Sequence, residues 1–331
     1  MADIKGLIDA FGQQLIDAKA IGQAAAAKLP APAPVTNVNL FGLGGSAFGG
    51  EIIRNLIFTT SKVPFTIFRG YEVPAYLNAN SLVIASSYSG NTEETLEAAE
   101  LARKAGARII VVTSGGKLKE WAGTHGFSVI TLPGGYPPRA AAGLSFVQQL
   151  YILRHYGLIP DFEADLDESI AVVQQFREQA ETKKLGDSLK DRAVILYSSD
   201  AIDSIAIRWR QQINENSKQL CWHHVVPEMN HNELVGWEHP KFMLERASVI
   251  MLRSSFEHPR VAIRFEVNRQ IIGQHTQHIV DVHAKGHSKL AQLMYLLHYG
   301  DYVSIHLAEA NGVDAAPVKV IDFLKNELSK R

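Results

Sequence analysis

From about residue 36 onward the chain alternates short apolar runs with stretches of helical spacing, and this alternation confines it to an α/β fold. Val38–Leu43, Phe65–Phe68, Leu82–Ser86, Arg108–Thr113 and Ser128–Leu132 read as strands. The clearest helix between them spans 92–105, where Leu96, Ala99 and Ala102 form one face and Glu97, Glu100, Arg103 and Lys104 lie outside it. Gly106 follows as its C-terminal stop. Strand–helix–strand repetition predicts a parallel sheet with helices on both faces. A helical region over 143–156 and 165–186 leads to a second block, which opens with the strand Ala193–Ser198. That block continues through a helix over Ala201–Gln219, apolar runs at Ala247–Leu252 and His278–Val282, and helices over 287–310 and 317–330. Two similar units in tandem suggest an internal duplication.

A length of 331 residues favours two domains, of roughly 150 residues each. The content of 46% apolar and 20% charged residues is that of a globular protein and argues against disorder. With 33 Lys and Arg against 34 Asp and Glu there is no basic field for a nucleic-acid backbone or an anionic membrane. Cys221 is the single cysteine, which excludes an intramolecular disulfide and reads as a buried structural thiol in a reducing compartment. At the start, Ile4, Leu7, Ile8, Phe11, Leu15 and Ile16 give residues 3–28 one buried helical stripe, ending at the stiff connector Pro30–Pro34. Met1–Leu29 lacks the layout of a signal peptide. No apolar run approaches the roughly 20 residues of a membrane span. A soluble, cytoplasmic protein is expected.

The chemistry concentrates in Ser86-Ser87-Tyr88-Ser89-Gly90-Asn91-Thr92-Glu93-Glu94, which follows a strand and opens the helix over 92–105. Helix amino termini offer free N–H groups and the positive end of the dipole, Gly90 permits close approach of backbone to ligand, and hydroxyls donate to phosphate oxygens. The loop holds no Lys or Arg, so it would hold phosphate through hydrogen bonds. The plainer reading makes Asn91 a cap with Glu94 closing the box, and the two readings are compatible. No Gly-Lys-Ser/Thr follows, so this is not a P-loop. The turn Gly42-Leu43-Gly44-Gly45-Ser46-Ala47 after the first strand departs from the dinucleotide pattern, with Ala47 where the last glycine belongs.

Ser87–Glu94 resembles the signature of sugar isomerase (SIS) domains, in which a turn such as Gly42–Ala47 brings a serine hydroxyl to the sugar phosphate. Pro137-Pro138-Arg139, the segment Arg208–Asn216 and the segment Pro227–Trp237 extend the likeness, from about residue 36 to the end, to the bifunctional phosphoglucose/phosphomannose isomerases. The resemblance implies two tandem SIS domains, each a doubly wound, flavodoxin-like parallel sheet flanked by helices, in a homodimer that uses no metal or other cofactor. With the boundaries read from the Pro-rich connector and the helical stretch between the blocks, residues 1–35 are an N-terminal helix and connector, 36–160 the first SIS domain, 161–190 a helical linker and 191–331 the second domain with its C-terminal helix. The implied activity interconverts glucose 6-phosphate, with mannose 6-phosphate as a second substrate, and fructose 6-phosphate through a cis-enediol(ate).

By the same resemblance Ser46, Ser87, Ser89 and Thr92 bind the phosphate, with Gly45 and Tyr88 close to the substrate. Glu215 is the base that moves the proton between C1 and C2, a task that partial burial of a carboxylate would favour. Arg139 holds the enediolate charge as a fixed cation. His231, supplied by the neighbouring subunit, opens the ring, and Lys325 assists at the ring oxygen. Val318 stands where the family pattern has Thr, seven residues before Lys325, which bears on the mannose branch. His223, His224, His231 and His239 suggest a metal site, but adjacent residues of an extended segment diverge. A sugar-phosphate sensor would keep the serines without needing the base, and would bring a DNA-binding domain. The isomerase half of an amidotransferase would need an ammonia-supplying glutaminase.

Overall fold

The computed structural model describes residues 3–328 and Lys330. It divides into two compact units that are not linear segments: Ala10–Gln174 with Gly286–Leu293 form the first, and the chain up to Asp9, Gln175–Lys285 and the chain from Met294 form the second. The helical stretch over 161–190 is thus divided after Gln174, and residues 10–35 fold with the first sheet.

In the first unit, β1 (Asn37–Phe41), β2 (Phe65–Phe68), β3 (Ser81–Ser86), β4 (Arg108–Thr113) and β5 (Ser128–Thr131) form one parallel sheet. Their order, β2-β1-β3-β4-β5, is the flavodoxin-like one. The β-branched runs of β3 and β4 are buried on both faces, as a parallel sheet under helices requires. On one face Val83, Ala85, Ile109 and Val111 meet Ala98, Ala99 and Ala102 of helix Glu93–Lys104, and Leu118 and Ala122 of helix Gly116–His125. Helices Gly44–Ile57 and Ala142–His155 pack on each other over the opposite face. Ile52 and Ile53 are fully buried there, each contributing about 1.5–3 kcal/mol. Helix Glu93–Lys104 closes as its sequence predicts, with Gly106 at φ +79° and Ala107 N–H donating to Ala102 O over 3.0 Å.

Two helical expectations are corrected. The helix over 3–28 is two helices, Ile4–Asp9 and Phe11–Ala26, belonging to different units, and Ile16 of the expected buried stripe is 37% exposed. The stretch 165–186 is likewise two helices, Glu163–Gln174 and Gln179–Ser188. Periodicity alone joined them because each carries the same apolar spacing.

In the second unit, β6 (Ala193–Ser199), β7 (Cys221–Val226), β8 (Ala247–Arg253) and β9 (Ile279–His283) form a parallel sheet ordered β7-β6-β8-β9. Tyr197, Val249 and Met251 pack with Phe265, Trp237 and Met229 in its core. Helix Asp203–Ser217 is fastened to the long helix Lys289–Ala310 from Leu296 onward. Arg208 makes a bidentate pair with Asp301 (3.1 and 2.8 Å), Trp209 Nε1 donates to Leu296 O (2.8 Å) and Asn216 donates to Ser304 Oγ (3.0 Å). Cys221 is buried, and burial pushes its thiol up, as expected of a structural cysteine. No described helix is long and apolar enough to cross a membrane.

Candidate active site

The first unit assembles a hydroxyl-rich cradle at the C-terminal ends of β1 and β3, adjacent strands whose outgoing connections diverge, the usual ligand crevice of an open α/β sheet. Ser46 opens helix Gly44–Ile57, and its Oγ accepts Tyr88 N–H at 3.1 Å. Ser87 Oγ accepts Gly90 N–H at 3.1 Å and lies 2.8 Å from Thr92 Oγ1, while Ser89 Oγ accepts Asn91 N–H at 3.3 Å. A hydroxyl that accepts from the backbone keeps its own proton to give. These bonds gather the hydroxyls of Ser46, Ser87, Ser89 and Thr92 at the turn of Gly90, whose φ is +68°.

Thr92, not Asn91, is the N-cap of helix Glu93–Lys104. Asn91 instead accepts Lys117 N–H through Oδ1 at 3.1 Å, in the first turn of helix Gly116–His125. The capping box is therefore corrected: Asn91 secures the neighbouring helix, which leaves the start of its own helix facing the cradle.

Arg139 reaches the same place from a distant part of the chain. A Cβ on Gly45 would lie 2.6 Å from Pro138 O and 3.5 Å from Arg139 Cα, so the turn after β1 rests on the short 3₁₀ helix Pro138–Ala141. Arg139 is 6% exposed, a buried cation beside a loop that has none of its own. Tyr88 links the two segments: its phenol donates to Pro133 O (2.8 Å) and accepts Tyr136 N–H (3.0 Å), and burial raises its pKa. Its backbone belongs to the cradle while its side chain holds the loop that leads from β5 to Arg139.

In the second unit Glu215 sits half-buried near the end of helix Asp203–Ser217, in a groove of about 1020 Å³. Arg210, Lys218, Trp222 and Val318–Ile321 line it with Glu215. Val318, the position that departs from the family pattern, thus shares a cavity with the expected base. Lys325 is not among the lining residues, but it stands one turn beyond Ile321 on the same face of helix Lys319–Leu328, a helix with no buried residue. Sequence reasoning missed Arg210 and Lys218. Arg210 lies within the Arg208–Asn216 segment and was legible there; Lys218, whose Nζ donates to Glu215 O at 2.6 Å, acquires its place only from the left-handed turn (φ +54°) that ends the helix.

His231 is exposed on the 3₁₀ turn Glu228–His231 and its ring makes no hydrogen bond among the described residues. Its neighbours are both tied down, Asn230 to Asn268 (2.6 Å) and Asn232 to Glu228 (3.0 Å). His224 meets Glu233 at 2.6 Å, whereas His223 has Arg210 and Asp203 as charged neighbours and is held below its ordinary pKa, chiefly by burial. Among the described residues no cluster of three His, Cys, Asp or Glu side chains is arranged to hold a metal.

Residues 34–130 match the SIS domain family, and residues 178–328 match the family described as the bacterial phospho-glucose isomerase C-terminal SIS domain. The chain is 42% identical, over 306 residues, to a bifunctional phosphoglucose/phosphomannose isomerase of Caldicellulosiruptor bescii, covering 89% of this chain and 90% of that one. A protein of the same name from Aquifex aeolicus is 33% identical over 299 residues, covering 90% and 92%. Among solved structures, the C-terminal domain of the glucosamine-fructose-6-phosphate aminotransferase of Francisella tularensis shares the fold, with a TM-score of 0.75 at 13% identity, covering 94% of this chain and 97% of that domain.

Proposed function

We propose, from the premise that the chain belongs to the bifunctional phosphoglucose/phosphomannose isomerase family, that its hydroxyl cradle and its groove carboxylate serve one sugar 6-phosphate. The protein is an aldose–ketose isomerase built from two SIS domains. In this reading Ser46, Ser87, Ser89 and Thr92 hold the phosphate through neutral donors and the N-terminus of helix Glu93–Lys104. Gly45 and the backbone of Tyr88 border the bound sugar. His231 and Lys325 open the ring, His231 coming from the neighbouring subunit of a homodimer. Glu215 then takes the proton from one of C1 and C2 and returns it to the other, while Arg139 stabilises the negative charge on the enediolate oxygen. The substrate is a small molecule of central sugar metabolism, acted on in the cytoplasm.

The observation that carries the reading is the meeting of four hydroxyls from two loops at the Gly90 turn, with the backbone of the buried Arg139 packed against the neighbouring turn at Gly45. That three separate parts of the chain meet at one corner supports reading it as the site of the sugar's phosphate. Val318 in the Glu215 groove supports a glucose branch stronger than the mannose branch, because a hydroxyl that could meet the sugar is missing there.

The test is a coupled assay on glucose 6-phosphate and mannose 6-phosphate, with and without chelator, run beside Glu215→Gln. Turnover of the variant falls by roughly 100-fold or more, the usual cost of losing a general base, while calorimetry still detects sugar-phosphate binding. A Glu215→Gln variant with parental turnover refutes the assignment of the base; binding without turnover in the parent would make the protein a sensor.

A further inference from the structure

The side chain of Glu233 is used on both oxygens by two residues that the sheet places side by side. Tyr197 of β6 and His224 of β7 are register partners in the parallel ladder. Tyr197 donates its phenol to Glu233 Oε1 (2.5 Å) and His224 Nδ1 lies 2.6 Å from Glu233 Oε2. Trp237 Nε1 donates to the same phenol oxygen at 3.0 Å. Tyr197 is fully buried and Trp237 is 3% exposed, so this end of the network is part of the core. Burial first, and the charge of Glu233 second, push the Tyr197 phenol up, which keeps it a donor across the working pH range. The carboxylate stands two residues after His231, where it opens the 3₁₀ turn Glu233–Gly236 that follows the turn Glu228–His231. Met229, with no exposed surface, anchors the other side of the same loop. The loop is therefore clamped on either side of His231 while the His231 ring projects into solvent.

We propose that Glu233, held by Tyr197 and His224, is a positioning residue that sets the orientation of His231 for ring opening. This rests on the ring-opening role given to His231 above. A loop folded only for stability needs Met229 and Trp237 in the core; it does not need a carboxylate whose two oxygens are each fixed by a separate strand. Such fixing matters for a group that must meet a substrate oxygen within hydrogen-bonding reach, since misplacement by about 1 Å can cost up to roughly 100-fold in rate. The role acts through His231, so neither Glu233 nor His224 need touch the sugar.

The experiment measures enzyme-catalysed anomerisation of fructose 6-phosphate by NMR exchange, alongside kcat and KM for isomerisation, in Glu233→Gln, His231→Ala and the double variant. Anomerisation and kcat fall together by roughly 10- to 100-fold in each single variant, KM changes little, and the double variant is no slower than His231→Ala. Additive losses in the double variant, or a Glu233→Gln enzyme that anomerises normally while His231→Ala does not, overturn the role of Glu233 and leave that of His231 standing. Normal anomerisation in His231→Ala overturns both. Thermal midpoints are recorded for all variants. Should Glu233→Gln fail to fold, His224→Leu against His224→Asn gives the same reading: Asn keeps a donor near the Nδ1 position and restores part of the rate lost with Leu, and equal rates in the two overturn the proposal.

Discussion

Gly90 shows how much of the cradle depends on one residue without a side chain. A Cβ there would stand 1.7 Å from Gly115 O and 2.9 Å from Thr113 Oγ1, and its φ of +68° is unfavourable to L side chains. Its N–H is held by Ser87, so displacing Gly90 also displaces the hydroxyl paired with Thr92. Gly90→Ala is expected to raise KM for the sugar phosphate by about tenfold and to cost about 1–3 kcal/mol of stability. Inhibition by inorganic phosphate and denaturant unfolding measure the two effects; an unchanged phosphate affinity would separate Gly90 from anion binding. The density of hydroxyls in Ser87–Thr92 was legible from residue types, because all the donors lie within one turn of chain. That Asn91 would look away to Lys117 N–H was not, since its partner is set by how helix Gly116–His125 packs.

Among the elements, helix Asp203–Ser217 carries the expected base and is held by a buried ion pair. Arg208 and Asp301 are 3% and 8% exposed in their side chains, and paired through two bonds. Removing one member of such a buried pair leaves the other charge uncompensated, at a cost of about 3–5 kcal/mol. Asp301→Ala is therefore expected to lose that much in chemical denaturation, and a loss below about 1 kcal/mol would mean that the pair is solvated. The boundaries of β4, Arg108–Thr113, coincide with its apolar run, because a central, covered strand needs unbroken hydrophobicity. By contrast β7, Cys-Trp-His-His-Val-Val, escaped recognition as a strand. It is an edge strand, half-exposed and rich in polar side chains, so its residues answer to the sheet's margin and not to a core. Helix Pro259–Ile272 was missed for a related reason: only Val261, Phe265, Asn268 and Ile272 of its residues are buried, a narrow stripe in a mostly polar segment.

For the whole molecule, stability should depend on pH through a histidine inside the second unit. His298 is 3% exposed, ringed by Phe176 and Tyr302, and burial lowers its pKa to about 4 against the pull of Asp301, Asp9 and Glu178. The folded state resists the proton that the unfolded chain accepts below pH ~6.5. Stability is therefore intact above that pH, falls as the pH drops toward about 4, and falls no further on this account below it. Between pH 7 and pH 5 the contribution is about 2 kcal/mol, so a His298→Phe variant should lose less stability than the parent over that interval. Parallel pH curves for the two proteins in denaturant titrations would exclude His298 as the source.

The α/β alternation, the two parallel sheets and the donor-rich loop were all readable from the chain, because each is written in neighbouring residues: a side-chain period, a glycine stop, several hydroxyls in a row. What folding alone could settle is which distant residues meet. Arg208 finds Asp301 93 positions away, Tyr197 and His224 close on Glu233, and the turn at Gly45 comes to rest on Pro138. Such meetings depend on strand order and helix packing, which set positions in space that no local pattern of polarity encodes.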